Sequence, residues 1–340
     1  MNHTPRARER TEELERVSLS TWATLAVETK GRDREEGPDL FLTAFQQDCE
    51  RILASAAFRR LRSKTQSLLL GGRLPAGEGD GPRMRLTHTL SVTHTARTVA
   101  RALRLNEDLA EAIALGHDLG ATAFASAGEE ALSAFGAQPF RHNEQGLRVV
   151  EQLEGGGTGL NLTWEVRDGI LGHSSHAPLP STIEGQVVRV VARIVSLTDE
   201  LNDVLRAGIC LSGDLPDDVH QVLGHTSSQR RGVLVRDIVE ESTDALEAGL
   251  SPRTTQALDT LEAFIEERVN TRGDQLAERA RGVHCLRSLV VFYLDNPDRL
   301  PSLYRTDEPL LVRTLDFVSS LTDPDALRLF QRLLLPTVAT

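Results

Sequence analysis

The sequence predicts an all-α protein. Three observations carry that expectation: no stretch shows sustained period-two alternation, aromatic residues make up only 4% of a chain that is 40% hydrophobic, and apolar positions recur at helical spacing between Gly and Pro breaks. With aromatics scarce, the apolar mass comes from Leu, Val, Ala and Ile, which suits helix packing better than a sheet sandwich. At 340 residues the chain can bury a large core, as one extended helical domain or as two smaller units.

Residues 1–40 are polar, with Arg32, Asp33, Arg34, Glu35 and Glu36 leading into Gly37-Pro38, and read as a partly ordered arm. From Thr43 to about Leu70, Phe45, Ile52, Ala56, Phe58 and Leu61 recur near helical spacing, with Arg59, Arg60, Arg62 and Lys64 between them; the segment from Gly71 to Arg83 is a Gly/Pro loop. Helices are expected over Thr87 to Leu103 and Glu107 to Leu119, the second capped by Asn106 and closed at Gly120. A short helix from about Gly128 and another from Asn143 to Leu153 precede the triple glycine 155–157. Helix returns from Leu162 to Gly172, breaks over His173 to Pro180, and resumes from Thr182 to Ala207 with Ile183, Val187, Val190, Ile194, Leu197 and Leu201 on one face. The remainder, through Leu335, repeats the helical pattern, and the chain has no internal repeat.

A formal net charge of -11 excludes a general nucleic-acid binder, which needs clustered cations to neutralise phosphates. The N-terminus has no apolar stretch of signal-peptide length and no window approaches a membrane span, so a cytoplasmic location is expected. Cys49, Cys210 and Cys285 are isolated and odd in number, which argues against a disulfide framework or a thiolate metal site.

Six of the ten histidines, His88, His94, His117, His142, His173 and His176, lie in the middle of the chain. An adjacent His117-Asp118 at a helix end can aim an imidazole nitrogen and a carboxylate at one divalent cation, and His88 on the preceding helix is placed to complete one face. Such a cation clamps phosphate oxygens and activates water. Alone, the dipeptide would be a weak signal, and a surface histidine beside a capping aspartate the favoured reading.

It does not stand alone. The string RLTHTLSVTHTARTVARAL followed by LNEDLAEAIALGHDLG closely resembles the HD-domain deoxynucleoside triphosphate triphosphohydrolases, in particular the bacterial deoxyguanosine triphosphate triphosphohydrolase-like family. DCERILASAAFRRLRSKTQ, FRHNEQGLRVVEQLE, GLNLTWEVRDGILGHS, EGQVVRVVARI and DFVSSLTDPDALRLFQRLLLP extend the resemblance over most of the chain, in family order. It implies an HD-domain helical bundle with additional C-terminal helices: the arm, a core over 41–210, and a helical region over 211–340 packed on that core. It further implies hydrolysis of a dNTP to deoxynucleoside and triphosphate, a divalent metal such as Mg or Mn, and a homo-oligomer, commonly a hexamer. By position, His88, His117 and Asp118 match three of the family's four metal ligands, Gln66 the residue against the sugar 3'-hydroxyl, and Arg85 a substrate-contacting arginine. His142 matches a pocket histidine near the phosphates and Glu129 a carboxylate that supports the catalytic histidine. Arg59 and Arg60 belong to the same motif, as phosphate-binding groups or as a solvated helix face.

The resemblance also exposes departures. The family loop reads close to GHDLGHTPFGHAGE and this chain reads GHDLGATAFASAGE, so Ala121 and Ser126 stand where the family has histidines, the second a catalytic one. Neither can move a proton as imidazole does, and such groups contribute about 10²- to 10⁴-fold. In the long helix, ADRIAYLNHDIDD becomes VARIVSLTDELND, so the fourth metal ligand becomes Ala192, a substrate-side tyrosine becomes Ser196, and a further acidic position becomes Glu200. Ala192, Ser196, Asp199 and Asp203 should share a face that lines the cavity. Asp199 lies about 10 Å along the helix from position 192, too far to replace the ligand. Three readings follow: a weakly active hydrolase, a nucleotide-binding pseudoenzyme, and a structural subunit of a hetero-oligomer.

Overall fold

The computed structural model describes residues 7–67, 82–243, 245–270 and 272–336. Among these residues there are fifteen α-helices and no strand, only isolated antiparallel bridges at Arg32–Thr163 and Thr65–Met84. The expected loop over 71–83 and the end of the preceding helix, at 68–70, lie largely outside them. No helix of the described residues is long and apolar enough to cross a membrane.

The segment read as a polar arm carries a helix, α1 (Ala7–Ser18), and its polar groups serve buried carboxylates. Glu15 accepts from Ala26 N at 2.7 Å, Glu184 from Thr24 N and Asn106 N at 3.0 Å each, and Glu165 from Lys30 N at 2.7 Å. Buried carboxylates need such donors, so the polarity of this stretch reflects its partners.

The single helix expected from Thr43 is two, α2 (Ala44–Ala54) and α3 (Ala56–Arg60). A Thr43/Gln46 capping box starts α2. The break is at Ser55, whose hydroxyl accepts from Phe58 N at 3.1 Å, while the Glu154 carboxylate accepts from Ala56 N at 3.0 Å and Ala57 N at 2.7 Å. An anion on the first N–H groups of α3 is the arrangement a helix N-terminus favours, and it comes from a residue about a hundred positions away.

Around this lie α4 (Arg85–Ala102), α5 (Glu107–Gly116), α6 (Ser126–Ser133), α7 (His142–Arg148) continued by a π-turn over Val149–Leu153, α8 (Trp164–Gly172) and α9 (Ile183–Arg206). Asn106 caps α5 as expected, accepting from Asp108 N and Leu109 N at 3.1 and 3.2 Å. The apolar stripe of α9 packs inward through the buried Val187, Ile194, Leu197 and Leu201. Phe45, Ile52, Ile113 and Ile170 from α2, α5 and α8 fill the same core, where α5 and α8 approach so closely that a Cβ at Gly169 would lie 2.5 Å from the Ile113 side chain.

Six helices complete the fold: α10 (Asp217–Leu223), α11 (Ser227–Ser242), α12 (Pro252–Asn270), α13 (Gly273–Asp295), α14 (Leu310–Ser320) and α15 (Asp323–Leu334). The first three join the main core, whereas α13 to α15 build a second one with α6, in which Ala127, Ala131 and Leu132 meet Leu286, Leu289 and Phe317. The loop after His117-Asp118 is thus held between two cores.

Candidate metal centre

Helix α5 ends at Gly116, three residues before the expected Leu119, because tight turns take over: Leu119 N donates to Gly116 O at 3.2 Å and Ala121 N to Asp118 O at 2.9 Å. These turns set His117 and Asp118 on the inner side of the helix end, both buried. His117 Nδ1 donates to Ala114 O at 2.7 Å, which fixes the tautomer and leaves Nε2 without a partner. Burial pushes the His117 imidazole down to about 4, against the attraction of Asp118, so it is neutral and carries a lone pair at neutral pH.

Asp118 has its Oδ1 on Arg85 Nη1 at 2.8 Å, and its Oδ2 is buried without a partner. Burial raises this carboxyl, but Arg85, His117 and His88 outweigh it and hold it well below the usual range. His88, in the first turn of α4, is buried, with Nδ1 unpartnered. One ligand atom from each of His88, His117 and Asp118 lies within 4.8 Å of the other two. Buried polar atoms normally find partners, so the orphan Nε2 of His117 and Oδ2 of Asp118 fit a divalent cation.

The three border a cavity of about 960 Å³. Gln66 and Arg85 reach it side by side because the chain pairs across the segment between them: Gln66 N donates to Arg83 O at 2.8 Å and Arg85 N to Lys64 O at 2.8 Å. Gln66 Oε1 is buried and unpartnered. Ala192, Ser196, Glu200 and Asp203 of α9 also line the cavity, as do Ser126, Glu129 and His142. Burial raises the Glu200 carboxyl to about 7, with Asp203, Glu262 and Glu266 adding like charge. Helices α12 and α13 close the outer end with Glu262, Ile265, Gln275 and Arg279.

Three expected positions fall elsewhere. Arg59 is exposed and donates to Ala54 O at 2.6 Å, so it belongs to the solvated face of its short helix and not to the cavity. Ala121 is fully buried away from the cavity, its carbonyl accepting from the buried Lys64 ammonium. Asp199 points out of the cavity toward His88: its Oδ2 lies 3.8 Å from His88 Nδ1 and 3.6 Å from Arg83 Nη1. Two guanidinium groups attract it there, Arg83 Nη1 to Oδ2 at 3.6 Å and Arg231 Nη2 to Oδ1 at 3.9 Å.

Sequence reasoning missed His173. Its Nδ1 donates to Ile170 O at 2.7 Å, and its Nε2 meets His142 Nε2 at 3.0 Å, while His142 Nδ1 meets Glu129 Oε1 at 2.8 Å. Burial, reinforced by His142 and His117, keeps His173 far below its ordinary value and hence neutral. Burial raises Glu129, but its hydrogen bond and attraction to His142 prevail, so its carboxyl is lowered. A signal was present: Leu115-Gly116-His117 and Leu171-Gly172-His173 both end a helix, and both histidines bond the carbonyl three residues back.

The loop between Asp118 and α6 is strained. Phe124 and Ala125 hold φ of 61° and 53°, a region that non-glycine residues seldom adopt, immediately before Ser126. Gly120 makes the close approach to α7 possible, since a Cβ there would lie 2.2 Å from both His142 O and Gly146 N.

A helical protein with a buried His/Asp centre at a helix end is what an HD domain provides, and the HD domain family model matches residues 85–202, spanning His88, His117 and Asp118. A phosphohydrolase-associated domain matches residues 248–332, which supply α12 and α13. The deoxyguanosinetriphosphate triphosphohydrolase-like protein of Caldanaerobacter subterraneus subsp. tengcongensis is 42% identical over 335 residues, covering 98% of this chain and 97% of that protein. A protein of the same name from Clostridium perfringens strain 13 is 39% identical over 341 residues, covering 97% and 98%. One from Geobacter sulfurreducens is 34% identical over 378 residues, covering 95% and 97%. The chain belongs to the HD-domain deoxyguanosinetriphosphate triphosphohydrolase-like family.

Proposed function

We propose that this protein binds a deoxynucleoside triphosphate and a divalent cation such as Mg²⁺ or Mn²⁺ in the 960 Å³ cavity, with hydrolysis to deoxynucleoside and triphosphate strongly reduced. The observation that carries this reading is the set of unpartnered atoms at the cavity: Asp118 Oδ2 and His117 Nε2 at the metal centre, and Gln66 Oε1 beside it. When bound, the cation supplies polarisation of phosphate oxygens and an activated water. His88, His117 and Asp118 would hold it, Arg85 would keep Asp118 ionised and face the phosphates, and Gln66 Oε1 would accept a hydrogen bond from a sugar hydroxyl.

Proton transfer is where the chain falls short. Ser126 stands at the cavity where the family pattern has histidine, and a hydroxyl is too weak a base at neutral pH. His142 does not replace it, because both its nitrogens are engaged, one by Glu129 and one by His173. Ala192 offers no ligand to a centre that retains a single carboxylate.

The test is direct. Each dNTP is incubated with the purified protein and Mg²⁺ or Mn²⁺, and deoxynucleoside and triphosphate are quantified while thermal shift reads binding. A nucleotide-dependent rise in melting temperature with little product supports the proposal; rapid turnover contradicts reduced catalysis, and no shift with any dNTP contradicts binding. The same reading expects a cytoplasmic homo-oligomer, which light scattering checks for assembly.

A further inference from the structure

We infer that Asp199 is a positioning residue for the metal centre, orienting His88 through its Nδ1 and supplying at one remove negative charge that the centre lacks at Ala192. The inference rests on the metal-centre reading above and adds to it a residue outside the ligand set.

His88 Nδ1 on α4 and Asp199 Oδ2 on α9 are both buried, both without a hydrogen-bond partner, and 3.8 Å apart. One can donate and the other can only accept, so each can satisfy the other. Asp199 does not join the group in which His88, His117 and Asp118 bring ligand atoms within 4.8 Å of one another, so it approaches His88 from outside that group. The two nitrogens of an imidazole diverge, and a ring whose Nδ1 faces Asp199 presents Nε2 on its other side. A metal-ligating histidine characteristically gives its remaining N–H to a carboxylate or carbonyl, which fixes the ring and raises its basicity. His117 has that partner in Ala114 O at 2.7 Å. Among the described residues, His88 Nδ1 has Asp199 as its one carboxylate neighbour.

Charge argues the same way. Asp118 is the one carboxylate in the ligand group, and it is shared with Arg85 at 2.8 Å. Asp199 meets its cations at longer range, Arg83 Nη1 at 3.6 Å and Arg231 Nη2 at 3.9 Å, while Arg83 makes its shorter contacts, at 3.2 Å, to Asp203. The carboxylate is thereby held against the start of α4 with no hydrogen bond to its Oδ2. Closing the gap to hydrogen-bond length needs a shift of about 1 Å, within reach of a rotation of the His88 ring on taking up a cation.

The experiment titrates Mn²⁺ into the full-length protein by calorimetry, for the unaltered chain, Asp199→Asn and Asp199→Glu, with circular dichroism and thermal unfolding in the absence of metal as a check on folding. The expected result is a dissociation constant about 10- to 100-fold weaker for Asp199→Asn, partly recovered by Asp199→Glu. An unchanged constant in a folded Asp199→Asn overturns the role of Asp199 alone. An unaltered chain that binds no cation overturns the metal-centre reading beneath it. Should Asp199→Asn fail to fold, Zn²⁺ is added to the unaltered chain and the His88 ring protons are followed by NMR: a slowly exchanging, downfield Nδ1 proton supports the hydrogen bond, and its absence overturns it.

Discussion

His142 Nε2 lies 3.0 Å from His173 Nε2, and only one of the two can bring the proton. His173 spends its own on Ile170 O at 2.7 Å, so the proton between the two rings is His142's, while His142 Nδ1 lies 2.8 Å from the Glu129 carboxylate. Replacing His173 by Leu removes the acceptor and takes the partner from the half-buried His142 Nε2. A loss of about 1 kcal/mol is expected in chemical denaturation, and a variant as stable as the parent would refute the bond.

Restoring the missing groups tests what their absence costs. Ala192 borders the cavity with His88, His117 and Asp118, so Ala192→Asp is expected to tighten Mn²⁺ binding by at least about 10-fold. Adding Ser126→His should raise dNTP hydrolysis by about 10²- to 10⁴-fold over Ala192→Asp alone. Product formation that stays flat in the double variant would show that the defect lies elsewhere.

Glu200 gives a pH dependence of known sign. Its carboxyl is pushed from 4.5 up to about 7 by burial, with Asp203, Glu262 and Glu266 adding like charge. Between those values the folded protein keeps a proton that the unfolded chain has lost, so stability falls as pH rises through this window. The full penalty is present above it, up to about 3 kcal/mol and less for a group that stays partly exposed. Glu200→Gln should therefore be more stable than the parent at pH 8 and equal to it at pH 4, as thermal unfolding at the two pH values would show.

Gly120 is the hinge of the packing between the metal loop and α7. A methyl group there would lie 2.2 Å from His142 O and from Gly146 N, both backbone atoms that cannot rotate away. Gly120→Ala is expected to cost about 3 kcal/mol or more and to displace His142; an unfolding midpoint within error of the parent would count against this packing.

Much of the fold was legible because it is local. Asn106 caps α5 and the apolar stripe of α9 faces the core, since capping and periodicity depend on neighbours in sequence. The break at Ser55 was not legible, because the acceptor that finishes it belongs to Glu154. Nor was the order of the N-terminal segment, whose partners are carboxylates on α8 and α9.

The site divides the same way. Sequence alone determined the all-α class and the family, and it singled out His88, His117 and Asp118 as candidate ligands. Residue identity and ordered motifs carry that information without coordinates. Tertiary structure alone decided that Arg59 faces solvent, that Ala121 is sealed beneath the Lys64 ammonium, that His173 occupies His142, and that Asp199 turns toward His88. These outcomes depend on where helices distant in sequence meet, and on which charges they bring beside one another.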